Sequence, residues 1–412
     1  MWVLYILQRI AMCRGGSFGG LSPAPYFNEW STWMSFRSFV SFSCLLLAAF
    51  LIIPSLSWAG SRGITRDFNL TYETRNTDTA DIDRMMFSTQ WSWELTRRSR
   101  LKVEVPFGTS SVKDKGTGAS SNISGLKDIM LDYRLDTRKP EGDRPGLFYR
   151  AKMNLPTGQA TLNAEEQNVI NAINDTSEGF YNPEYGRGLA LSLGAGLSMK
   201  QGGNGTLEIS AGFNFRGEFD PSDGISRDDA DTFYLGIKSL RQVNPRKRVS
   251  WGFNALVFGN GEVTDKATGI SASVNREPDF ILSYAMYQEV NPGLKRDIVF
   301  VYTLRGEQDF VDAGGANVTP NTDLGDRMNL EFRLHKKLTP VSWLDYGISY
   351  MKTFDSSVAG GPDLDTDRDD ARLVVGTTRD MNSGFKLNGN LQFGLTDEAR
   401  DLVTTVGGKW DF

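Results

Sequence analysis

From Ile64 to the end, the chain repeats one pattern in which apolar residues occupy every second position of a segment, a turn follows, and the alternation resumes. In Leu189-Ala-Leu-Ser-Leu-Gly-Ala-Gly-Leu-Ser-Met199, Leu189, Leu191, Leu193, Leu197 and Met199 fall on one side and Ser192, Gly194, Gly196 and Ser198 on the other. Phe385, Leu387, Leu391 and Phe393 likewise oppose Lys386, Asn388, Asn390 and Gln392. A period of two means a β-strand with one apolar and one wet face. Sixteen such segments are predicted, near 64–75, 82–96, 99–107, 124–136, 145–155, 187–200, 204–217, 231–242, 247–259, 277–290, 294–307, 326–337, 341–353, 370–380, 384–395 and 400–412. Trp91, Trp93, Tyr149, Phe213, Trp251, Tyr284, Tyr302, Tyr346 and Tyr350 fall on the apolar sides, as interfacial aromatic girdles would.

The connections are lopsided. After even-numbered segments they are tight and rich in Asn, Gly and Pro, as in Gln201-Gly-Gly-Asn204, Asn291-Pro-Gly293 and Asn382-Ser-Gly384, residues that supply positive or preset φ. After odd-numbered segments most are long and polar: 108–123, 156–186, 218–230, 260–276, 308–325 and 354–369. Short turns at one end and long loops at the other predict an all-β fold, a transmembrane antiparallel up-and-down β-barrel of about sixteen strands, with fourteen as the alternative count. A soluble sandwich would alternate too, but its connections need not be lopsided.

The two ends fit that expectation. Leu402, Val406, Trp410 and Phe412 share a face, so the last segment is a strand whose apolar side ends on aromatics. It resembles the closing strand of bacterial outer-membrane barrels, in which such a terminal pair is the assembly signal; Trp410 and Phe412 are the residues concerned. From Met34, Arg37 precedes the apolar run Cys44–Ile53, and small residues around Ser57-Trp58-Ala59 follow, which reads as a secretory signal peptide over 34–59. Residues 1–33 read as a non-native extension ahead of it and 60–412 as the barrel. The expected location is therefore the cell outer membrane of a Gram-negative bacterium, with outer-membrane lipids and the barrel assembly machinery as partners.

Composition narrows the chemistry. Both cysteines, Cys13 and Cys44, precede the expected cut, so the exported chain offers no disulfide or thiolate metal site. The net charge of −5 and the absence of a basic patch argue against nucleic-acid binding. Mean hydropathy is −0.34, and no apolar run after Ala59 is long enough for a membrane helix; a barrel escapes that test because half of each strand faces water. No cofactor is expected. His335 is the single histidine, near a predicted turn, which makes a Ser/His/Asp set improbable and an enzyme the third reading. The acidic run Asp363-Leu-Asp-Thr-Asp-Arg-Asp-Asp370 spaces carboxylates as calcium loops do, but Arg368 stands where a hand-type loop needs Gly and Val374 where it needs Glu; no metal site is assigned.

Two short motifs suggest a family. Gly125-Leu-Lys-Asp128 opens Ile129-Met-Leu-Asp-Tyr-Arg134, and Tyr149-Arg-Ala-Lys-Met-Asn-Leu-Pro-Thr-Gly158 closes the next segment. This pairing resembles the outer-membrane transporters associated with the meta-pathway of phenol degradation, and covers about a fifth of the exported chain. The resemblance implies passage of small solutes, aromatic or apolar ones among them, and brings no catalytic residues.

If the apolar faces meet lipid, Asp132, Arg134, Arg150, Lys152, Asn154, Arg216, Glu331 and Arg333 line a lumen, either as a salt-bridged interior or, through Arg134, Arg150, Lys152 and Arg216, as a positive selectivity wall. Loop 156–186 is the longest and the expected constriction. Asn163-Ala-Glu-Glu166 reads as a helix cap ahead of Val169, Ile170 and Ile173, and Glu165, Glu166, Asp175 and Glu184 would face the basic wall. An exposed loop is the alternative. The function expected is passive passage of small solutes through an outer-membrane channel, against a plugged or structural surface barrel.

Overall fold

The computed structural model describes residues 63–411 apart from 78, 142–143, 159–160, 164, 167–168, 171–187, 203, 223, 313–316, 324, 356, 359–367, 382–383 and 397–400. The chain divides into units 1–59 and 60–412, and every described residue belongs to the second. Asp175, Glu184, Ile173 and Phe412, with the 34–59 segment, lie outside the described residues.

Strands are numbered here in chain order. Sixteen form a closed antiparallel barrel: β1 (Ile64–Asn76), β2 (Ala80–Thr96), β3 (Ser99–Asp114), β5 (Ile129–Arg138), β6 (Gly146–Leu155), β7 (Ala190–Lys200), β8 (Gly205–Arg216), β11 (Thr232–Asn244), β12 (Lys247–Phe258), β15 (Asp279–Asn291), β16 (Leu294–Leu304), β19 (Arg327–Thr339), β20 (Ser342–Thr353), β22 (Arg368–Asp380), β23 (Phe385–Gly394) and β24 (Asp401–Asp411). Each pairs with its neighbour in this series. The ring closes where β24 lies along β1, with Phe68 opposite Gly408, Leu70 opposite Val406 and Tyr72 opposite Thr404. Closure leaves no barrel strand with an unpaired edge. Each segment expected from the alternation overlaps one of these barrel strands, so the sixteen-strand count holds and fourteen does not.

Two details differ from the expectation. The third strand runs past residue 107 to Asp114 because β4 (Ser120–Leu126) folds back on it as a hairpin. The segment expected over 124–136 is therefore two strands, β4 and β5, which both pair with β3 and are separated at Lys127-Asp128. Pro106 lies opposite that break and has no N–H to donate, although its carbonyl accepts from Lys127 N at 3.0 Å. The loops at 218–230, 260–276, 308–325 and 354–369 also hold strands: β9 (Phe219–Ser222), β10 (Ile225–Asp228), β13 (Gly261–Asp265), β14 (Ile270–Arg276), β17 (Gln308–Asp312), β18 (Asn317–Asp323) and β21 (Ser357–Val358). They join into a second, seven-stranded sheet at the loop end of the barrel.

The pairings fix two registers. One carries Leu193, Phe213, Trp251, Ile348 and Leu391, and its large apolar side chains are exposed, Leu193 by 46%, Phe213 by 52% and Ile348 by 50%. In a closed barrel this is the outward face. The other register points inward and is polar and charged. Along β5 and β6 it reads Met130, Asp132, Arg134 and Asn154, Lys152, Arg150.

Candidate functional site

All eight residues expected to line a lumen lie on the inward register: Asp132 and Arg134 on β5, Arg150, Lys152 and Asn154 on β6, Arg216 on β8, Glu331 and Arg333 on β19. Most are paired. Arg134 donates to Asp136 and Glu208, each at 3.0 Å, and its guanidinium lies 4.1 Å from the centre of the Phe148 ring. Arg150 grips both oxygens of Asp132, with Nε to Oδ1 at 2.8 Å. Arg216 meets Asp229 at 3.0 Å, and Arg333 contacts Glu331. Three members of the expected positive wall are thus each matched to a carboxylate. Lys152 is not; it is exposed on the inner wall and has no hydrogen bond or ion pair with another described residue.

The motifs Gly125–Asp128 and Leu155–Gly158 meet. Both turn at the loop end of the β5–β6 pair, where Asp128, only 1% exposed, accepts from Asn154 Nδ2 at 3.1 Å and from the backbone N–H of Gly158 at 3.0 Å. Thr157 Oγ1 donates to the Lys127 carbonyl and accepts from Ile129 N, both at 3.0 Å, extending the strand ladder with a side chain. Thr396 does the same between β23 and β22, donating to Asp369 O at 2.8 Å and accepting from Ala371 N at 3.3 Å. Aspartates at other strand starts cap the neighbouring strand's exit: Asp231 accepts from Arg216 N, Asp279 from Gly306 N and Asp326 from Arg305 N.

This clasp sets where the 156–186 loop leaves the wall. Leu162 and Val169 of that loop pack on Ile82 of β2 and Ile123 of β4, beside Val112, all on the inward register. The segment therefore turns inward at the loop end. The cap expected at Asn163 is formed reciprocally: Glu166 N donates to Asn163 Oδ1 at 2.9 Å and Asn163 N to Glu166 Oε2 at 3.0 Å. Glu166 is committed to that cap, whereas Glu165 is exposed.

Beside Ile82, which pairs with Arg75, lies a cluster that strand periodicity does not single out. Arg75, Asp370, Arg372 and Asp401, from β1, β22 and β24, form a four-membered ion-pair ring: Arg372 meets Asp370 at 2.6 Å and Asp401 at 2.9 Å, and Arg75 meets the same carboxylates at 3.5 and 3.4 Å. Glu73 and Arg84 pair beside it at 3.0 Å. All six are at least nine-tenths buried, so this part of the interior is filled. The only signal available in sequence was a set of charges at inward positions near the loop ends of strands on either side of the closing seam. Asp370, the last carboxylate of the acidic run considered for calcium, is committed to arginines here.

Toward the turn end, His335 sits on the inward face between two carboxylates, Nδ1 2.6 Å from Asp345 and Nε2 3.0 Å from Asp297. Lys295 and Lys337 lie over the Trp343 ring at 4.5 and 5.6 Å. In the outer sheet, desolvation and then the negative Asp231, Glu218, Asp229 and Glu262 raise the pKa of Asp228, while Lys266 lowers that of Asp220.

No family model and no curated protein sequence matches the chain. Among solved structures it is similar to an outer-membrane channel from Pseudomonas putida F1, at 12% identity, covering 85% of this chain and 95% of that one, with a TM-score of 0.39. It is also similar to the CymD monoaromatic hydrocarbon channel, at 12% identity over 85% of this chain and 88% of that one, TM-score 0.43. A triple mutant of the Rhodopseudomonas blastica porin is 11% identical, with 85% and 99% covered and a TM-score of 0.34.

Proposed function

We propose that this barrel spans the bacterial outer membrane and passes small solutes without covalent chemistry. One observation carries the reading: a closed sixteen-strand ring with an exposed apolar outer register and an ionisable inner one. An apolar belt around a whole molecule far exceeds the few hundred Å² of contiguous apolar patch that soluble monomers usually leave in water, and lipid is the solvent that suits it. A closed ring is also the only sheet that satisfies every backbone group there. The tight turns would face the periplasm, the loops and the second sheet the exterior. The closing strand, ending beside Trp410, and the signal-like segment over 34–59 support this compartment and imply handling by the barrel assembly machinery. The resemblance of the 125–128 and 155–158 motifs to the phenol meta-pathway transporters supports solutes that are small and aromatic or apolar.

A second reading has its own observation. The buried ring of Arg75, Asp370, Arg372 and Asp401, with the inward segment at Leu162 and Val169 packed on Ile82 opposite Arg75, fills part of the interior, as a plugged surface barrel would require. Planar-bilayer conductance with purified protein, together with swelling of liposomes in a small neutral solute, separates the two. Discrete conductance steps and solute uptake are expected; silence in both assays by folded protein overturns the channel in favour of the plugged barrel.

A further inference from the structure

The inward register is not electrically neutral. The whole chain carries a net charge of −5, yet basic side chains outnumber acidic ones on the inner face of the barrel strands. Most of them are held in the pairs described above. On the wall formed by β3, β5, β6, β7 and β8, one row across the strands reads Lys102, Asp132, Lys152, Ser192, Asn214. The adjacent row reads Arg100, Arg134, Arg150, Gly194, Gly212 and, on β11, Tyr234.

Three carboxylates of this wall are held by arginines, and Glu104 lies two residues from Lys102 on the same face of β3. Both oxygens of Asp132 accept from Arg150, and Asp136 and Glu208 accept from Arg134. Lys102 and Lys152 flank Asp132 on either side without a hydrogen bond or ion pair to another described residue, and Lys152 is exposed. In the next row Arg100 and Arg150 stand beside them, and the small residues lie farther along, on β7 and β8. Gly194 and Gly212 have no side chains, and the Tyr234 ring lies flat across both, since a Cβ on Gly194 would fall 1.8 Å from its hydroxyl oxygen and one on Gly212 2.6 Å from its Cζ. On β3, β5 and β6 these two rows thus hold five basic side chains, Arg100, Lys102, Arg134, Arg150 and Lys152, against the one carboxylate Asp132. A surface of that kind attracts anions and repels cations through the water of a pore.

We infer that Lys102 and Lys152 form an anion station part-way along the lumen, making them specificity-determining residues that favour small anions, carboxylates included, over cations. The inference rests on the channel reading. Its test is the reversal potential of single channels in a potassium chloride gradient. Wild-type protein should reverse on the anion-selective side. Lys102→Gln and Lys152→Gln should each lower the chloride-to-potassium permeability ratio by roughly threefold, as expected for removing a unit charge several ångströms from the ion path in water. The double variant should approach non-selectivity, and Lys152→Glu should cross to cation preference. Lys266→Gln, which alters a lysine of the outer sheet paired with Asp220, should leave the ratio unchanged. The variants remove exposed or half-exposed lysines that make no hydrogen bond or ion pair with a described residue, so heat-modifiable migration on SDS gels should match wild type. A conducting wild type that prefers cations, or a ratio unmoved by the double substitution, overturns the station and leaves the channel standing. Absence of current from wild-type protein removes both.

Discussion

At the scale of single residues, the interior is organised by where carboxylates are matched. In the buried ring, Arg372 lies at 2.6 and 2.9 Å from the two aspartates while Arg75 stands off at 3.5 and 3.4 Å. Removing a close partner from a buried pair strands a charge where water cannot reach it, at about 3–5 kcal/mol. Arg372→Met should therefore destabilise the folded barrel by that order, and Arg75→Met by clearly less. Adding Asp370→Asn to Arg372→Met should recover part of the loss, because it deletes the stranded charge. Urea titrations followed by the folded-form mobility shift read all three, and equal losses for Arg372→Met and Arg75→Met would contradict this ordering. The inward placement of these residues was legible from alternation, since Arg75, Asp370 and Asp401 all sit on the wet phase of their strands. Their burial was not. It arises from contacts among strands far apart in the chain, with a separation of 326 residues between Arg75 and Asp401, and no local pattern encodes that proximity.

At the scale of elements, alternation gave the barrel strands because each has one face in an apolar environment and one in a polar environment over ten residues or more. The strands of the second sheet lack that contrast. In β10, Ile225, Arg227 and Asp228 are all exposed and only Ser226 is buried, so its sequence, Ile-Ser-Arg-Asp, reads as loop. The split between β4 and β5 escaped for a different reason: Ile123 and Ile129 read as one alternating series, yet the facing reverses across Lys127-Asp128, so that Ile123 points inward on β4 and Ile129 outward on β5. The closing seam shows how finely two elements can depend on one missing side chain. Gly408 of β24 lies outward between Phe68 and Phe385, and a Cβ there would come within 2.4 and 2.5 Å of their rings. Those rings and Trp410 form one stack, with Phe385 and Trp410 centred 4.1 Å apart. Gly408→Leu should force the stack open at the joint between first and last strands, costing about 1–3 kcal/mol as overpacking does. A lower yield of the SDS-resistant folded form is the expected outcome. A normal yield with an unchanged midpoint would show that the rings swing aside freely.

At the scale of the molecule, everything proposed depends on which face meets lipid. The assignment was made from apolar phase alone and agrees with the exposure pattern of the closed ring. Leu193 and Ser192 are adjacent on β7, but Leu193 is 46% exposed on the outer register and Ser192 lies on the inner row that includes Lys152. The two positions differ in solvent if, and only if, the belt is lipid-facing. An arginine on the lipid face near mid-bilayer costs about 2–4 kcal/mol, whereas one in an aqueous lumen loses little hydration. Leu193→Arg should therefore reduce assembly and lower the unfolding midpoint, while Ser192→Arg should assemble nearly as well as wild type and change conductance instead. Measured side by side in bilayers and detergent, the reverse order would turn the barrel inside out as a model of function and would withdraw the lumen, the anion station and the channel together. Equal tolerance at both positions would mean that water bathes both faces. The expected order ties the alternation in the sequence to the solvent on each side of the wall.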